Sequence, residues 1–324
     1  MKAPLLISGA FAALALVACG GEPANTAVAD EAANTEVETT NVVLTLEAAA
    51  DGEWRNEDNK ARNQYRNPAE TLAFFGLEPD HVVVEITPGG GWYTEVIAPY
   101  IAAGGGTYYA AGFDTTGNER RAAGLERFKE RFGDTEIFGE IQHSVVGAGN
   151  GGLAPAGTAD MVLSFRNVHN WMGNGSDVEM MKAAYEALKP GGILGVVEHR
   201  LPSTAEQDPN GGTGYVHEDY MKQIAAAGGL VYVDSSEVNA NPNDTADHPF
   251  GVWTLPPVRF SGNDNNPAPE GFDRAAYDAI GESDRFTMKF MKPLETSDAT
   301  EAVTEGLKEV SSELAEEAGI GQGS

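Results

Sequence analysis

The sequence predicts an α/β fold, a doubly wound, mostly parallel sheet of seven strands with helices on both faces. Short apolar runs rich in β-branched residues alternate with stretches of helical periodicity, which is typical of successive βαβ units. The chain has 324 residues, of which 41% are hydrophobic. This length and composition are sufficient to bury a core on both faces of such a sheet.

The elements can be placed along the chain in order. Strands are expected at residues 81–86, 107–113, 159–165, 193–198, 230–233 and 285–290, with the third strand of the seven within 137–146. Helices are expected at 119–132, 177–188 and 217–227, and a tight turn at 189–192. Residues 239–282 are rich in Asn, Asp, Pro and Gly and are long for a connection in a compact domain. This length predicts either a functional loop, such as a lid, or disorder.

Residues 1–18 are expected to form a signal peptide. Lys2 precedes an apolar run over residues 5–17 that is too short to span a bilayer. Residues 16–19, Leu-Val-Ala-Cys, resemble the bacterial lipobox, which implies that Cys19 is lipidated and anchors the mature protein to a membrane. Because Gly20 follows instead of an Asp, the resemblance implies the outer membrane, facing the periplasm. An ordinary signal peptide with a chance cysteine is the alternative.

The rest of the chain divides into three predicted parts. Residues 19–54 contain scattered acidic side chains and no Lys or Arg, which predicts a flexible tether after the lipidated Cys19. The globular domain is expected at residues 55–295 and includes the 239–282 insertion. Residues 296–324 place apolar side chains at helical spacing among Glu residues, which predicts an acidic amphipathic tail.

Charge and cysteine content exclude several kinds of partner. The chain has 49 Asp and Glu residues against 21 Lys and Arg, a formal net charge of −28, so nucleic acid is not expected to bind. Cys19 is the only cysteine, which excludes an intramolecular disulfide and a thiolate cluster. A zinc, iron or manganese site would have to combine His169, His199, His217 and Glu198. These residues do not form closely spaced ligand pairs on one helix, and no metal is predicted.

A glycine turn follows the first strand. Residues 87–91, Thr-Pro-Gly-Gly-Gly, precede a helix, and such a turn lets backbone N–H groups approach a bound ligand. Asp114 ends the second strand near the offset at which nucleoside-binding folds hold a ribose. A tight reversal from strand to helix would explain the glycines equally well without a ligand. The full G-x-G-x-x-G pattern is missing, which disfavours a nicotinamide oxidoreductase.

Residues 83–91, 159–164 and 188–194 together resemble the motifs of class I S-adenosylmethionine-dependent methyltransferases. Their order and spacing agree with that family, which implies its Rossmann-like fold with an antiparallel seventh strand at 284–290. Residues 66–68 and 167–171, Arg-Asn-Pro and Asn-Val-His-Asn-Trp, further resemble a bacterial subgroup of predicted methyltransferases. Thr87 departs from the family because a glycine usually stands at its position.

The resemblance implies S-adenosylmethionine as cofactor and a small molecule as substrate. Its cofactor site is expected to contain Glu85, Thr87, Gly89, Gly91, Asp114 and Arg166. The first-strand acid organises the glycine turn in this family, and Asp114 would accept hydrogen bonds from the ribose hydroxyls. The adenine-contacting residue stays open, with Gln142 and His143 as weak candidates.

Residues that follow the fourth strand are expected to face the reacting centre. His169 is a candidate general base because its ordinary pKa, about 6.5, suits neutral pH. Asn167 is the second catalytic candidate, although the prolines that follow this Asn in amino-methylating relatives are missing. A structural role is the alternative for His169. The residues expected to contact substrate are Trp92, Tyr93, Asn170, Trp171 and His199.

Two functions from different classes follow from these patterns. The first is methyl transfer from S-adenosylmethionine to a small molecule. The second is a non-catalytic periplasmic lipoprotein that binds a ligand or another envelope component on a methyltransferase scaffold. The lipobox favours the second function because S-adenosylmethionine is made in the cytoplasm, whereas the glycines and Asp114 favour the first.

Overall fold

Seven strands form one sheet in the computed structural model, which describes residues 44–146 and 152–294. The strands are β1 (Val82–Ile86), β2 (Thr107–Phe113), β3 (Gln142–Val146), β4 (Ala159–Phe165), β5 (Leu188–His199), β6 (Val231–Ser236) and β8 (Arg285–Met291). The short strand β7 (Pro249–Val252) is not part of this sheet. Their order is β3-β2-β1-β4-β5-β8-β6. Only the pairs that β8 makes with β5 and β6 are antiparallel in this sheet. The predicted fold class is therefore confirmed.

The helices connect the strands and cover both faces of the sheet. They are α1 (Leu46–Ala50), α2 (Glu57–Lys60), α3 (Asn63–Arg66), α4 (Pro68–Phe75), α5 (Thr94–Gly104), α6 (Glu119–Arg131), α7 (Thr135–Phe138), α8 (Val168–Asn174), α9 (Asp177–Ala187), α10 (Glu218–Ala227) and α11 (Arg274–Ile280). Val84 and Ile86 belong to one buried cluster, and Val83 belongs to the other. This alternation along β1 places one apolar layer on each side of the sheet.

The folded domain begins earlier than the sequence predicts. Leu46 and Ala49 of α1 are buried, and α1 packs against α4 and α5. The Trp54 Nε1 donates a hydrogen bond to the Glu95 carbonyl oxygen at 2.8 Å, and Arg55 forms a buried ion pair with Glu95. The prediction of a tether that continues to residue 54 is thus wrong, because residues 44–54 are part of the domain. The predicted signal peptide, Cys19 and the tail at 296–324 lie outside the described residues.

The structure adds detail to three other predicted regions. The predicted turn at 189–192 lies inside β5, which begins at Leu188 and is irregular where it pairs with β4. The third strand, β3, lies within the predicted range 137–146 and begins at Gln142, after α7. The insertion at 239–282 contains α11 and a short strand, β7 (Pro249–Val252), outside the seven-stranded sheet. Within the described ranges, no helix has the length and apolar content needed to cross a bilayer.

Candidate functional site

Two cavities meet at the carboxyl edge of the parallel strands. The main cavity, of about 470 Å³, extends from the glycine turn after β1 to the residues that follow β4. The apolar cavity, of about 220 Å³, lies on the β2 side of the same turn and is lined by residues such as Ala110, Phe113 and Phe128. Thr87, Pro88 and Gly89 line both. Ligands of doubly wound folds bind at this edge, so the topology places a candidate site here.

Glu85 is the buried acid beneath the glycine turn. Its Oε2 accepts hydrogen bonds from the Tyr108 hydroxyl and, at 3.0 Å, from the Thr94 hydroxyl at the start of α5. Burial raises the pKa of Glu85 to about 7, although both hydrogen bonds favour the ionised form. Glu85 therefore connects β1 to β2 and α5, and it also lines the main cavity.

The three residues predicted to shape the glycine turn are in different environments. Gly89 has φ +61°, a Cβ added there would meet nothing within 4 Å, and Gly89 lines both cavities. Gly91 has φ +79°, but a Cβ there would overlap the ring of Phe132. Thr87 has φ +51°, and its buried Oγ1 has no hydrogen-bond partner among the described residues. Gly91 thus serves helix packing and is not among the residues that line either cavity.

Asp114 lies beside the apolar cavity, at the exposed end of β2. Its Oδ1 accepts a hydrogen bond from the Thr116 N–H at 2.8 Å, and this bond holds the pKa of Asp114 below its usual value. Asp114 is not among the residues that line the apolar cavity, whereas the next residue, Thr115, is. His143, one of the weak candidates for the adenine contact, does line it.

His169 and Glu198 form a buried pair at the other end of the main cavity. The His169 Nδ1 lies 3.1 Å from the Glu198 Oε1. The Glu198 Oε2 also accepts the N–H of Val168 at 2.7 Å, so the carboxylate fixes the start of α8. Burial by itself would lower the pKa of His169, but the carboxylate of Glu198 raises it above its ordinary value. Asn167 precedes this helix and donates from its amide to the Ile86 carbonyl oxygen at 3.0 Å.

His169, Glu198 and His199 also satisfy the distance requirement for a metal site. One ligand atom from each lies within 4.8 Å of the others, and all three residues are buried. However, both Glu198 oxygens already accept backbone N–H groups. Burial and the surrounding arginines lower the pKa of His199 far below its usual range, and the same positive charge opposes a divalent cation. His217 lies apart, with its Nε2 3.1 Å from the Pro202 carbonyl oxygen.

Three arginines share one carboxylate beside the main cavity. Glu282 accepts a hydrogen bond from the Arg62 Nε at 2.6 Å and one from the Arg66 Nε at 2.9 Å, and it also pairs with Arg285. Burial alone would raise the pKa of Glu282, but these three guanidinium groups lower it to about 2. Arg166 lies close to them, and burial together with Arg285 lowers its pKa to about 10. Positive charge is therefore in excess at this site.

The predicted substrate residues divide into two groups. Trp92, Tyr93 and His199 line the main cavity, and the Tyr93 ring stacks on Phe165 with centroids 3.5 Å apart. Trp171 is buried in a core cluster, 2% exposed, and the prediction that it contacts substrate is wrong because α8 turns it toward α9 and the sheet. Asn170 is exposed and is not among the residues that line the main cavity.

Sequence reasoning did not find several residues that line the main cavity. These are Arg62, Arg66, Arg131, Arg285 and the insertion residues Val252, Trp253, Pro256, Pro257 and Val258. The 239–282 insertion therefore forms one wall of the cavity. The signal for the arginines was present, since Arg66 belongs to the Arg-Asn-Pro motif and Arg285 begins the last strand of the sheet.

Comparisons with known proteins add little beyond the fold. No family model and no curated protein matches the chain. Similar solved structures include a SAM-dependent methyltransferase from Aquifex aeolicus (16% identity, 55% of this chain and 87% of that chain, TM-score 0.41). The cyclase SpnF is also similar (14% identity, 71% of this chain and 81% of that chain, TM-score 0.46). So is the O-methyltransferase NcsB1 in complex with S-adenosyl-L-homocysteine (15% identity, 72% of this chain and 55% of that chain, TM-score 0.43). At these values the likeness concerns the general fold and assigns no activity.

Proposed function

We propose that the chain is an S-adenosylmethionine-dependent methyltransferase that acts on a small molecule. The observation that carries this proposal is the pair of cavities that meet at the glycine turn. The apolar cavity suits an adenosyl group, and the main cavity brings the other end of the cofactor toward His169. The buried acid at the end of β1 supports the same proposal, because the resembling family uses an acid there.

The residues of the turn fit the cofactor. Gly89 and Gly90 have open space where a side chain would project, so a ligand can approach their backbone closely. Asp114 is expected to hold the ribose hydroxyls beside the apolar cavity, and Glu85 lies beneath the turn with the main cavity above it. When bound, S-adenosylmethionine would supply the methyl group. The protein's contribution is to position the acceptor and, where needed, to remove its proton.

His169 is the residue placed to remove that proton. Because its Nδ1 faces Glu198, its Nε2 is left to accept a proton from a molecule in the main cavity. Glu198 acts as a positioning residue, since it orients the ring and stabilises the protonated imidazole. Asn167 supports this arrangement through its hydrogen bond to β1 and is assigned no proton transfer.

The first test is calorimetric titration of the purified full chain with S-adenosylhomocysteine and S-adenosylmethionine. We expect Asp114→Ala to weaken binding roughly 10- to 100-fold, because a hydrogen bond to a charged acceptor contributes about 1.5–3 kcal/mol. The matched control is Asp134→Ala, since the exposed Asp134 accepts the N–H two residues ahead in the same way. Folding should change little in either variant. No binding to the folded wild type would favour the non-catalytic ligand-binding alternative.

The role of His169 is tested by transfer of a tritiated methyl group from S-adenosylmethionine into a small-molecule extract. We expect His169→Ala to lower transfer at least about 100-fold, the usual contribution of a general base, while S-adenosylhomocysteine affinity is unchanged. Transfer by the wild type should rise with pH through the raised pKa of His169. His81→Ala, outside both cavities, is the control. Equal transfer by His169→Ala and the wild type would remove His169 from the mechanism.

We also propose that the domain is held at the periplasmic face of the outer membrane through a lipid on Cys19. The support is the resemblance of residues 16–19 to a lipobox. Incorporation of labelled palmitate into the wild type and its loss in Cys19→Ser is the expected result. An unlabelled wild-type protein would contradict the proposal.

A further inference from the structure

The walls of the main cavity are strongly positive although the chain as a whole is acidic. Five of the 21 Lys and Arg residues line it, namely Arg62, Arg66, Arg131, Arg166 and Arg285. The only carboxylate among its lining residues is Glu85, whose pKa of about 7 leaves it partly uncharged at neutral pH. The cavity wall is therefore positively charged in a chain whose net charge is −28.

The described carboxylates near these arginines are too few to pair with each guanidinium group. Arg131 pairs with Glu95, but Arg62, Arg66 and Arg285 share Glu282 alone. Arg66 is 2% exposed, and both of its Nη atoms are buried without a hydrogen-bond partner among the described residues. Buried guanidinium N–H groups without an acceptor are costly, so a negatively charged ligand that accepts from the Nη atoms would stabilise Arg66.

Arg166 is the arginine best placed to contact such a ligand. It directly follows β4, three residues before His169, and its backbone has the left-handed φ of +60° that non-glycine residues rarely adopt. Its N–H donates to the Val197 carbonyl oxygen at 2.7 Å, which fixes this conformation. Within residues 44–146 and 152–294, no hydrogen bond or ion pair reaches its guanidinium group. That group lies at the wall of the main cavity, half-buried and not sealed off.

We propose that the molecule methylated in the main cavity carries an oxyanion, a carboxylate or a phosphate, which Arg166 binds with support from Arg66 and Arg285. This inference rests on the proposed function, since it names the class of substrate. The guanidinium fork matches the geometry of both oxyanions. Tyr93, Trp92 and Trp253 supply flat apolar surface for the rest of the molecule. A cationic amine or a metal-bound substrate is disfavoured by the same charges.

The test titrates the purified full chain with sodium benzoate and, separately, with inorganic phosphate at constant ionic strength. Tryptophan fluorescence is the readout, because Trp92 and Trp253 line the cavity. We expect Arg166→Met to weaken binding at least tenfold and Arg166→Lys to weaken it less, since Lys keeps the charge but not the fork. Arg127→Met is the control, because the exposed Arg127 lies on α6 outside both cavities. Thermal unfolding of each variant shows that it is folded.

A second titration separates the substrate's anion from the carboxylate of the cofactor. Benzoate or phosphate should still bind when S-adenosylhomocysteine is saturating. Displacement of the anion by S-adenosylhomocysteine would overturn the proposal, because the arginines would then serve the cofactor. No binding to the wild type, or equal binding by Arg166→Met, would also overturn it. Failure of the proposed function has a different signature, in which the anion binds and S-adenosylhomocysteine does not.

Discussion

Replacing Gly91 with Ala should lower the free energy of unfolding by about 2–5 kcal/mol, which combines a left-handed backbone cost with overpacking. Gly91 has φ +79°, and the new Cβ would overlap two ring carbons of Phe132 and lie 3.3 Å from Phe128. Phe132 cannot move away easily, because it is buried and packs against Phe128 and Phe138. Denaturant unfolding monitored by circular dichroism measures the effect.

Gly89→Ala is the matched control for this change. Gly89 also has a positive φ, +61°, but its added Cβ would meet nothing within 4 Å. We therefore expect Gly89→Ala to lower the free energy of unfolding only by the cost of the left-handed backbone, about 1–2 kcal/mol. Because Gly89 lines both cavities and Gly91 lines neither, Gly89→Ala should weaken S-adenosylhomocysteine binding, and Gly91→Ala should not while it is folded. Equal stability losses in the two variants would contradict the assignment of Gly91 to packing.

Most of the fold could be predicted because its strands carry a strong local signal. The strands at Thr107–Phe113 and Ala159–Phe165 have the predicted bounds, and β1 and β4 are mostly apolar, as is typical of strands that parallel sheets bury. The helix at Leu46–Ala50 could not be predicted, since five residues of Leu, Glu and Ala inside an acidic stretch show no clear periodicity. Its stability comes from packing on α4 and α5, which the local sequence does not encode.

Site residues that lie near the ends of strands could be predicted from the sequence. Ion pairs between residues far apart along the chain could not. Glu85 and His169 could be predicted because each lies close to the carboxyl end of a strand, Glu85 within β1 and His169 four residues after β4. Glu282 lies 220 residues from Arg62 along the chain, and no spacing rule connects them. The substrate contact predicted for Trp171 was wrong because the local sequence does not show which side of α8 faces the cavity. His169 in α8 lines the cavity, but the same helix turns Trp171 and Met172 into the core.

Replacing Glu282 with Gln should be the most damaging change to the ion pairs of the site. The substitution removes the carboxylate that Arg62, Arg66 and Arg285 share, and it leaves their charges uncompensated in a buried environment. Breaking a buried ion pair in this way typically destabilises a protein by about 3–5 kcal/mol. Glu237→Gln is the control, because Glu237 pairs with Arg200 on the surface, where the effect should be below about 1 kcal/mol.

The pH dependence of the free energy of unfolding should differ between the wild type and Glu282→Gln. The pKa of Glu282 falls from 4.5 to about 2 on folding, so its contribution is complete above pH 4.5 and is lost as the pH falls toward 2. This lowering of the Glu282 pKa corresponds to roughly 3 kcal/mol of the free energy of unfolding. Between pH 7 and pH 3 the wild type should therefore lose more stability than Glu282→Gln does, with all other carboxylates common to both. Parallel losses would mean that Glu282 is not the counter-ion of the cluster. If instead the prediction holds, benzoate or phosphate should stabilise Glu282→Gln more than the wild type, because the anion would replace the missing charge.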